Sequence, residues 1–249
     1  MSGHSKWHNI KIRKAKVDAE KGKTFAKLAR EIIVAAREGG GDVAANSRLR
    51  LAIARAKDAG MPNDNIDRAV KRGTGDVTGE RVEEAIYEGY GPNGVALLIQ
   101  VMTDNRNRTA PEVRKILSKN GGSLGEAGCV RWLFQRKGLI VVPTAGVSEE
   151  DLLLAALDAG AEDVRSEGDT FEVYCEPEAV EKVRRAVEEA GFQCSSAEVT
   201  HLPSTTVSVD GADARRLLNL MEQLEDHADV QEVFANFDIP EQVMAEELG

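Results

Sequence analysis

The chain has 249 residues, 42% of them hydrophobic and 30% charged, with a formal net charge of −10. This length suggests about two domains, and the composition is that of a globular chain rather than a disordered one. The longest apolar run, Leu152–Leu157, is too short to cross a bilayer, and the charged amino terminus does not read as a signal peptide, so a cytoplasmic protein is expected.

The first element in chain order is a basic arm, residues 1–22. Lys6, Lys11, Arg13, Lys14, Lys16, Lys21, Lys23 and Lys27 stand against only Asp18 and Glu20. The imbalance extends to residue 75: residues 1–75 hold 17 Lys and Arg against 8 Asp and Glu, a net of +9, while the remaining 15 basic and 34 acidic residues give −19. Such a split points to one part that approaches an anionic partner, with nucleic acid first. The acidic remainder would repel a polyanion. It reads either as ordinary solubility charge or as a surface for a basic protein.

From Lys23 the apolar positions follow a helical period: Phe25, Leu28, Ala29, Ile32 and Ala36 share one face, and Gly39–Gly41 ends the helix. Asn46 or Ser47 caps a second helix with Leu49, Ala52, Ile53 and Ala56 inward. A third follows Asn63, with Ile66, Ala69 and Val70 inward. Together, residues 23–75 make a three-helix bundle.

The period then changes. Gly94–Thr103 reads as a strand, Thr109–Glu112 as a capping box that opens a helix, and Gly128–Phe134 as a second strand. A complete β-α-β-β-α-β unit follows. Its strand Gly138–Pro143 precedes a helix capped by Ser148, with Leu152, Leu153, Ala156 and Leu157 inward. A hairpin turns at Gly168 and Asp169, a helix starts at Pro177, and a strand covers Ser196–Leu202. Thr205–Val209, a helix capped by Asp210 and a strand Val230–Phe237 give another β-α-β. The expected fold is α+β: the helical bundle plus two ferredoxin-like α/β domains, one inserted into the other. The discontinuous domain covers 80–136 and 204–249, and the inserted one 137–203. This pairing of half-units requires the strands around Leu97 and Val207 to share a sheet.

Many short motifs resemble one family at its spacing along nearly the full length. They include Gly3–Trp7 (GHSKW), Asn46–Ile53 (NSRLRLAI), Met61–Ile66 (MPNDNI), Tyr87–Pro92 (YEGYGP), Thr103–Thr109 (TDNRNRT) and Asn120–Glu126 (NGGSLGE). On these segments the chain is similar to the YebC/PmpR family, which includes the mitochondrial translational activator of cytochrome c oxidase subunit one. His8 and Cys129 depart from the family's usual residues. The resemblance implies a three-domain, non-enzymatic regulator: a DNA-binding transcriptional regulator or a ribosome-associated translation factor that relieves stalls and binds rRNA or tRNA. The choice between DNA and the ribosome stays open at this point.

The residues expected to contact nucleic acid are Lys6, Trp7, Lys11, Arg13, Lys14, Lys16, Lys21, Lys23, Lys27 and Arg30. Lysine and arginine neutralise phosphates and release counterions without reading sequence. Trp7 reads two ways, as a ring stacking on an unpaired base or as an apolar anchor for the arm. With its charges spread over several helices, the bundle offers no recognition helix for base readout. A second candidate is the loop after the Gly94–Thr103 strand, where Asn105, Arg106, Asn107 and Arg108 form an RNA or partner surface or simply shape the turn. Tyr87 and Tyr90 are expected near it.

Neither cofactor nor metal is expected. The stretch Gly121–Gly128 is glycine-rich but follows a helix, the reverse of a phosphate-cradling loop, and reads as a connection. His4 and His8 have no third ligand in view, and Cys129, Cys175 and Cys194 are too widely spaced for a CxxC site or a disulfide framework. No catalytic motif appears. Ferredoxin-like units can host ligands, but fold alone does not establish an enzyme or sensor.

Overall fold

A computed structural model describes residues 21–75 and 81–239, with the side chain of Lys21 left out. Trp132–Thr205 forms one compact unit, and the described residues on either side of it form another. No described helix is long and apolar enough to cross a membrane.

The second of these units opens with three helices, α1 (Lys21–Gly39), α2 (Ser47–Asp58) and α3 (Asn63–Thr74). The five consecutive residues Ile32–Ala36 of α1 are all buried. One apolar face was expected; this stretch is enclosed because α2 and α3 pack on one side while Val82 and Met102 join the same core from another. Asn46 ties two helix ends together. Its Oδ1 accepts from Leu49 N at 3.0 Å, capping α2, and its Nδ2 donates to the carbonyls of Ala35 and Gly40 at 2.8 Å each.

The rest of this unit contains β1 (Glu83–Tyr90), β2 (Ala96–Thr103), α4 (Arg106–Lys119) and the two-residue β3 (Ser123–Leu124). The other unit supplies β4 (Phe134–Pro143), α5 (Glu149–Ala159), β5 (Ala161–Glu167), β6 (Thr170–Cys175), α6 (Val180–Glu189) and β7 (Ser196–Pro203). The chain closes with β8 (Val207–Ser208), α7 (Gly211–Asp226), β9 (Val230–Ala235) and β10 (Phe237–Asp238). The α+β class is borne out, with helices first and sheet domains after.

Within Trp132–Thr205 the sheet order is β5-β6-β4-β7, antiparallel throughout, as the ferredoxin-like expectation requires. Ile140, Val142, Phe171 and Val173 pack against Leu152, Ala156, Val183 and Val187 of the two helices. β4 begins at Phe134, ahead of the boundary expected at residue 137. Leu157, expected to face inward, is exposed. At 100° per residue it lies about 140° from Leu152, outside the buried stripe.

The four-stranded sheet of the other unit has the order β3-β1-β2-β9, which is not ferredoxin-like. β1 was not expected. Its three glutamates and one glycine in eight residues hide the strand pattern, but Glu83–Tyr90 pairs along its whole length with Thr103–Ala96. The strand expected at Gly128–Phe134 is instead a turn and a short 3-10 segment, with only Phe134 in a strand. Nor do the strands around Leu97 and Val207 share a sheet. β2 pairs antiparallel with β9, whereas β8 pairs with β10 in a separate parallel ribbon. Asn236 accounts for the split. Its Oδ1 takes the N–H of Ala96 at 2.7 Å at the end of β2, and its carbonyl accepts from Val207 N at 2.7 Å. The chain therefore leaves the larger sheet at that residue. Helices α4 and α7 cover one sheet face, where Leu97, Ile99, Val101, Val113, Leu217 and Met221 share a core.

Candidate nucleic-acid interface

Lys6, Trp7, Lys11, Arg13, Lys14 and Lys16 lie outside the described residues, and of Lys21 only the backbone is described, as the first residue of α1. The three remaining predicted contacts, Lys23, Lys27 and Arg30, lie along α1 and meet the end of α7 and the loop before β9. Lys23 Nζ stands 3.7 Å from the Asp226 carboxylate, both groups more than half exposed. Lys27 Nζ donates to the carbonyl of Glu225, and Arg30 donates to the carbonyl of Ala228. A second nitrogen of Arg30 lies 3.3 Å from Asp229 Oδ1. Lys27 thus satisfies a carbonyl in the last turn of α7 and Arg30 one just past it, as cations at a helix C-terminus do.

Asp229 is buried and gathers three more donors. The hydroxyls of Thr103 and Thr109 lie 3.1 and 2.8 Å from its Oδ2, and Arg108 Nη2 lies 2.7 Å from the same oxygen. Burial pushes the Asp229 carboxyl up, but Arg108 and the threonines outweigh it and hold the group below its ordinary range.

The segment expected as a loop at 105–108 is mostly helix. Asn105 caps α4, its Oδ1 accepting from Arg108 N at 3.1 Å. The expected capping box at Thr109–Glu112 lies one turn too late. Thr109 is fully buried with its hydroxyl at Asp229, while Glu112 Oε2 meets His227 Nε2 at 2.9 Å. Arg106 pairs with Glu83 at 3.1 Å and donates to the carbonyl of Glu84. Arg108 bridges Asp104 and Asp229. Asn107 is exposed, and its side chain makes no hydrogen bond among the described residues. Of the two tyrosines expected nearby, Tyr87 feels the charges of Arg106 and Asp229. Burial first, then Asp229, pushes its phenol up. Tyr90 lies at the far end of β1, donating to the carbonyl of Cys129 at 3.3 Å.

The glycine-rich stretch is fixed by a residue that sequence reasoning missed. Glu88, buried on β1, accepts backbone N–H groups from Gly128 at 2.7 Å and from Val130 and Arg131 at 2.9 Å each. Its own carbonyl takes Gly125 N at 2.8 Å. These N–H groups form an anion cradle already filled by the chain's own carboxylate. The thiols of Cys175 and Cys194 are pushed by burial up to about 11 and are inert at neutral pH.

Two family models match the chain: the TACO1/YebC N-terminal domain over residues 5–76 and the TACO1/YebC second and third domain over residues 82–237. The chain belongs to the TACO1/YebC family. A relative from Carboxydothermus hydrogenoformans named "Probable transcriptional regulatory protein" is 58% identical over 242 residues, covering 96% of this chain and 99% of the relative. One of the same name from Rubrobacter xylanophilus is 54% identical over the whole of both chains. A crystal structure of a conserved hypothetical protein from Aquifex aeolicus superposes with a TM-score of 0.84 at 49% identity, covering 92% of this chain and 95% of that one. The TACO1/YebC N-terminal model takes in most of the basic arm together with the bundle, and its boundary at 76 coincides with the end of the basic stretch read from charge.

Asp229 has a partial signal in sequence. It follows the α7 terminus at a turn, but nothing there announces Thr103 and Thr109, more than a hundred residues earlier. Glu88 stands inside the Tyr87–Pro92 motif, but nothing in the sequence ties it to the N–H groups of Gly128, Val130 and Arg131.

Proposed function

We propose that this chain is a nucleic-acid-binding regulator of gene expression: a non-catalytic, DNA-binding transcriptional regulatory protein that holds phosphates through its basic N-terminal region. The observation that carries this is the charge segregation, eight Lys or Arg against two acidic residues in the first 27 positions of a chain of net charge −10. The name shared by the relatives from Carboxydothermus and Rubrobacter supports it. The side-chain geometry narrows the proposed contact set. Lys27, Arg30, Arg106 and Arg108 hold closely bonded partners within the chain, whereas Lys23 meets Asp226 only at 3.7 Å with both groups more than half exposed, so the proposed phosphate contacts are Lys6, Lys11, Arg13, Lys14, Lys16, Lys21 and Lys23, with Trp7 among them.

Binding of this kind is largely independent of base sequence. If four arm cations meet duplex phosphates, log K falls with log salt at a slope of about −4. Deleting residues 1–20, which leaves α1 intact and removes five of the seven proposed cations, is expected to reduce the slope to about −2 or shallower; an unchanged slope overturns the proposal. Crosslinking in cells followed by sequencing then identifies the partner. Promoter DNA supports the transcriptional role, and ribosomal RNA or tRNA replaces it with the translation-factor alternative.

A further inference from the structure

Five large apolar side chains are exposed among the described residues, and two of them, Leu154 at 59% and Leu157 at 44%, stand one turn apart on α5. The opposite face of α5, with Leu152, Ala156 and Ala159, is buried in the core of its unit, so the fold is complete without the outer pair. On a helix surface, neighbours are three or four positions apart. Leu154 therefore lies between Glu150 and Asp158 in one row and between Asp151 and Leu157 in another. All three carboxylates are exposed, and none makes an ion pair among the described residues. Elsewhere in the same unit Glu162, Asp163, Glu176 and Glu188 are each paired with Lys or Arg. Acids in the first turn favour the helix dipole, which covers Glu150 and Asp151. Asp158 lies in the last turn, where an acid opposes the dipole and α5 has no basic residue to offset it. Helix stability does not explain it.

An apolar centre inside a charged rim is the anatomy of an interface. The sign of the rim selects the occupant. Trp132–Thr205 contains 6 Lys and Arg against 15 Asp and Glu, a net of −9. A polyanion is repelled, and a second copy meeting the same face about a two-fold would set carboxylate against carboxylate. We propose that the outer face of α5 docks a lysine- and arginine-rich amphipathic helix of a partner protein. Leucine-like side chains of the partner cover Leu154 and Leu157, and its cations pair with Glu150, Asp151 and Asp158.

The probes are two synthetic helical peptides, one of leucine and lysine and one of leucine and glutamate, titrated into the full chain with fluorescence anisotropy and amide chemical-shift mapping. The lysine peptide is expected to bind at least about tenfold more tightly than the glutamate peptide, with shifts centred on residues 150–158. Leu154→Ser with Leu157→Ser is expected to weaken it about tenfold or more. Glu150→Gln with Asp151→Asn and Asp158→Asn is expected to remove most of its salt dependence. All five positions are exposed, and circular dichroism checks that both variants fold. Shifts centred elsewhere, or an unchanged affinity in the serine variant, overturn the proposal. So does self-association of the free chain that the serine variant abolishes, which would assign the face to a second copy. The shifts at residues 150–158 and the effect of the serine variant are read on α5 and do not depend on the basic arm.

Discussion

Replacing Asp229 tests whether the contact between α1 and the α/β part of its unit is a designed junction. In Asp229→Ala the hydroxyls of Thr103 and Thr109, 1% and 0% exposed, lose their shared acceptor. Thr109 still has the carbonyl of Asn105 at 3.0 Å and Thr103 still has the Thr109 hydroxyl at 2.8 Å, but both lose the charged oxygen they share. Losing buried hydrogen bonds to a charged acceptor costs about 1.5–3 kcal/mol. The arginine contacts are discounted, because Arg108 and Arg30 side chains are 45% and 23% exposed and rehydrate; about 1 kcal/mol or less each is appropriate. The expected loss for alanine is about 3 kcal/mol. Asp229→Asn keeps an acceptor oxygen for the threonines but removes the charge and turns an amide donor toward Arg30, for a loss of about 1–2 kcal/mol.

The assay is native-state amide hydrogen exchange. The amides of Arg108 and Thr109, bonded to the carbonyl of Asn105 at 3.1 Å each, report on the junction, and amides of β6 in the other unit serve as reference. A loss of about 3 kcal/mol accelerates junction exchange about a hundredfold. Exchange within about twofold of the unmodified chain in the alanine variant would sink the reasoning. The pH dependence supplies a second check. The folded carboxyl of Asp229 titrates below its unfolded value, so its stabilisation is complete above about pH 4 and is lost as pH falls through the lowered folded value. The gap between the unmodified chain and Asp229→Asn should therefore close at acid pH.

Two further substitutions carry definite signs. Glu88→Gln replaces one of two oxygens that together face three backbone N–H groups, setting donor against donor in a buried site. A loss of about 2–4 kcal/mol in urea unfolding is expected, and a loss below about 0.5 kcal/mol would count against the cradle. Three backbone donors outweigh burial and hold the Glu88 carboxyl low, so its contribution too persists above the usual carboxylate range and fades as pH falls through the lowered value. Gly73→Ala places a methyl 2.6 Å from the carbonyl oxygen of Ile33 and 2.7 Å from Ala36 Cβ, where α1 and α3 cross. Alanine is the better helix former by about 1 kcal/mol. Even so, the clash with backbone should lower the thermal midpoint, and a raised midpoint would show that the helices part without cost.

Local chemistry decided which elements were legible in the sequence. The bundle helices could be read because their apolar residues repeat at the helical period and Asn46 and the glycines punctuate them. The Trp132–Thr205 unit was legible because it is contiguous, with each cap and turn adjacent to the element it bounds. β1 was hidden because its polar residues have tertiary duties: Glu88 faces the glycine-rich stretch, and Glu83 and Glu84 meet Arg106 and Arg48. Gly128–Phe134 looked like a strand because its side chains are mostly apolar, but the N–H groups of Gly128, Val130 and Arg131 serve Glu88. The Thr109–Glu112 pattern matched a capping box, yet Asn105 caps first and leaves Thr109 for the core.

Residue counts also overstate the charge a surface offers to a partner. The basic stretch of 1–75 and the Asn105–Arg108 segment both looked available in sequence. Arg48 binds Glu38 and Glu84, Arg55 binds Glu31, Arg37 donates to the carbonyl of Val82, and Arg30 and Arg108 converge on Asp229. An arginine already bonded to carboxylates must break those bonds before it neutralises a phosphate, so it adds little to a salt-dependent affinity. The same reasoning with reversed sign singles out Glu150, Asp151 and Asp158, whose charge no neighbour consumes. Substituting Arg48 or Arg55 should accordingly change stability more than it changes the salt slope for duplex DNA, and the opposite pattern is expected for lysines of the arm.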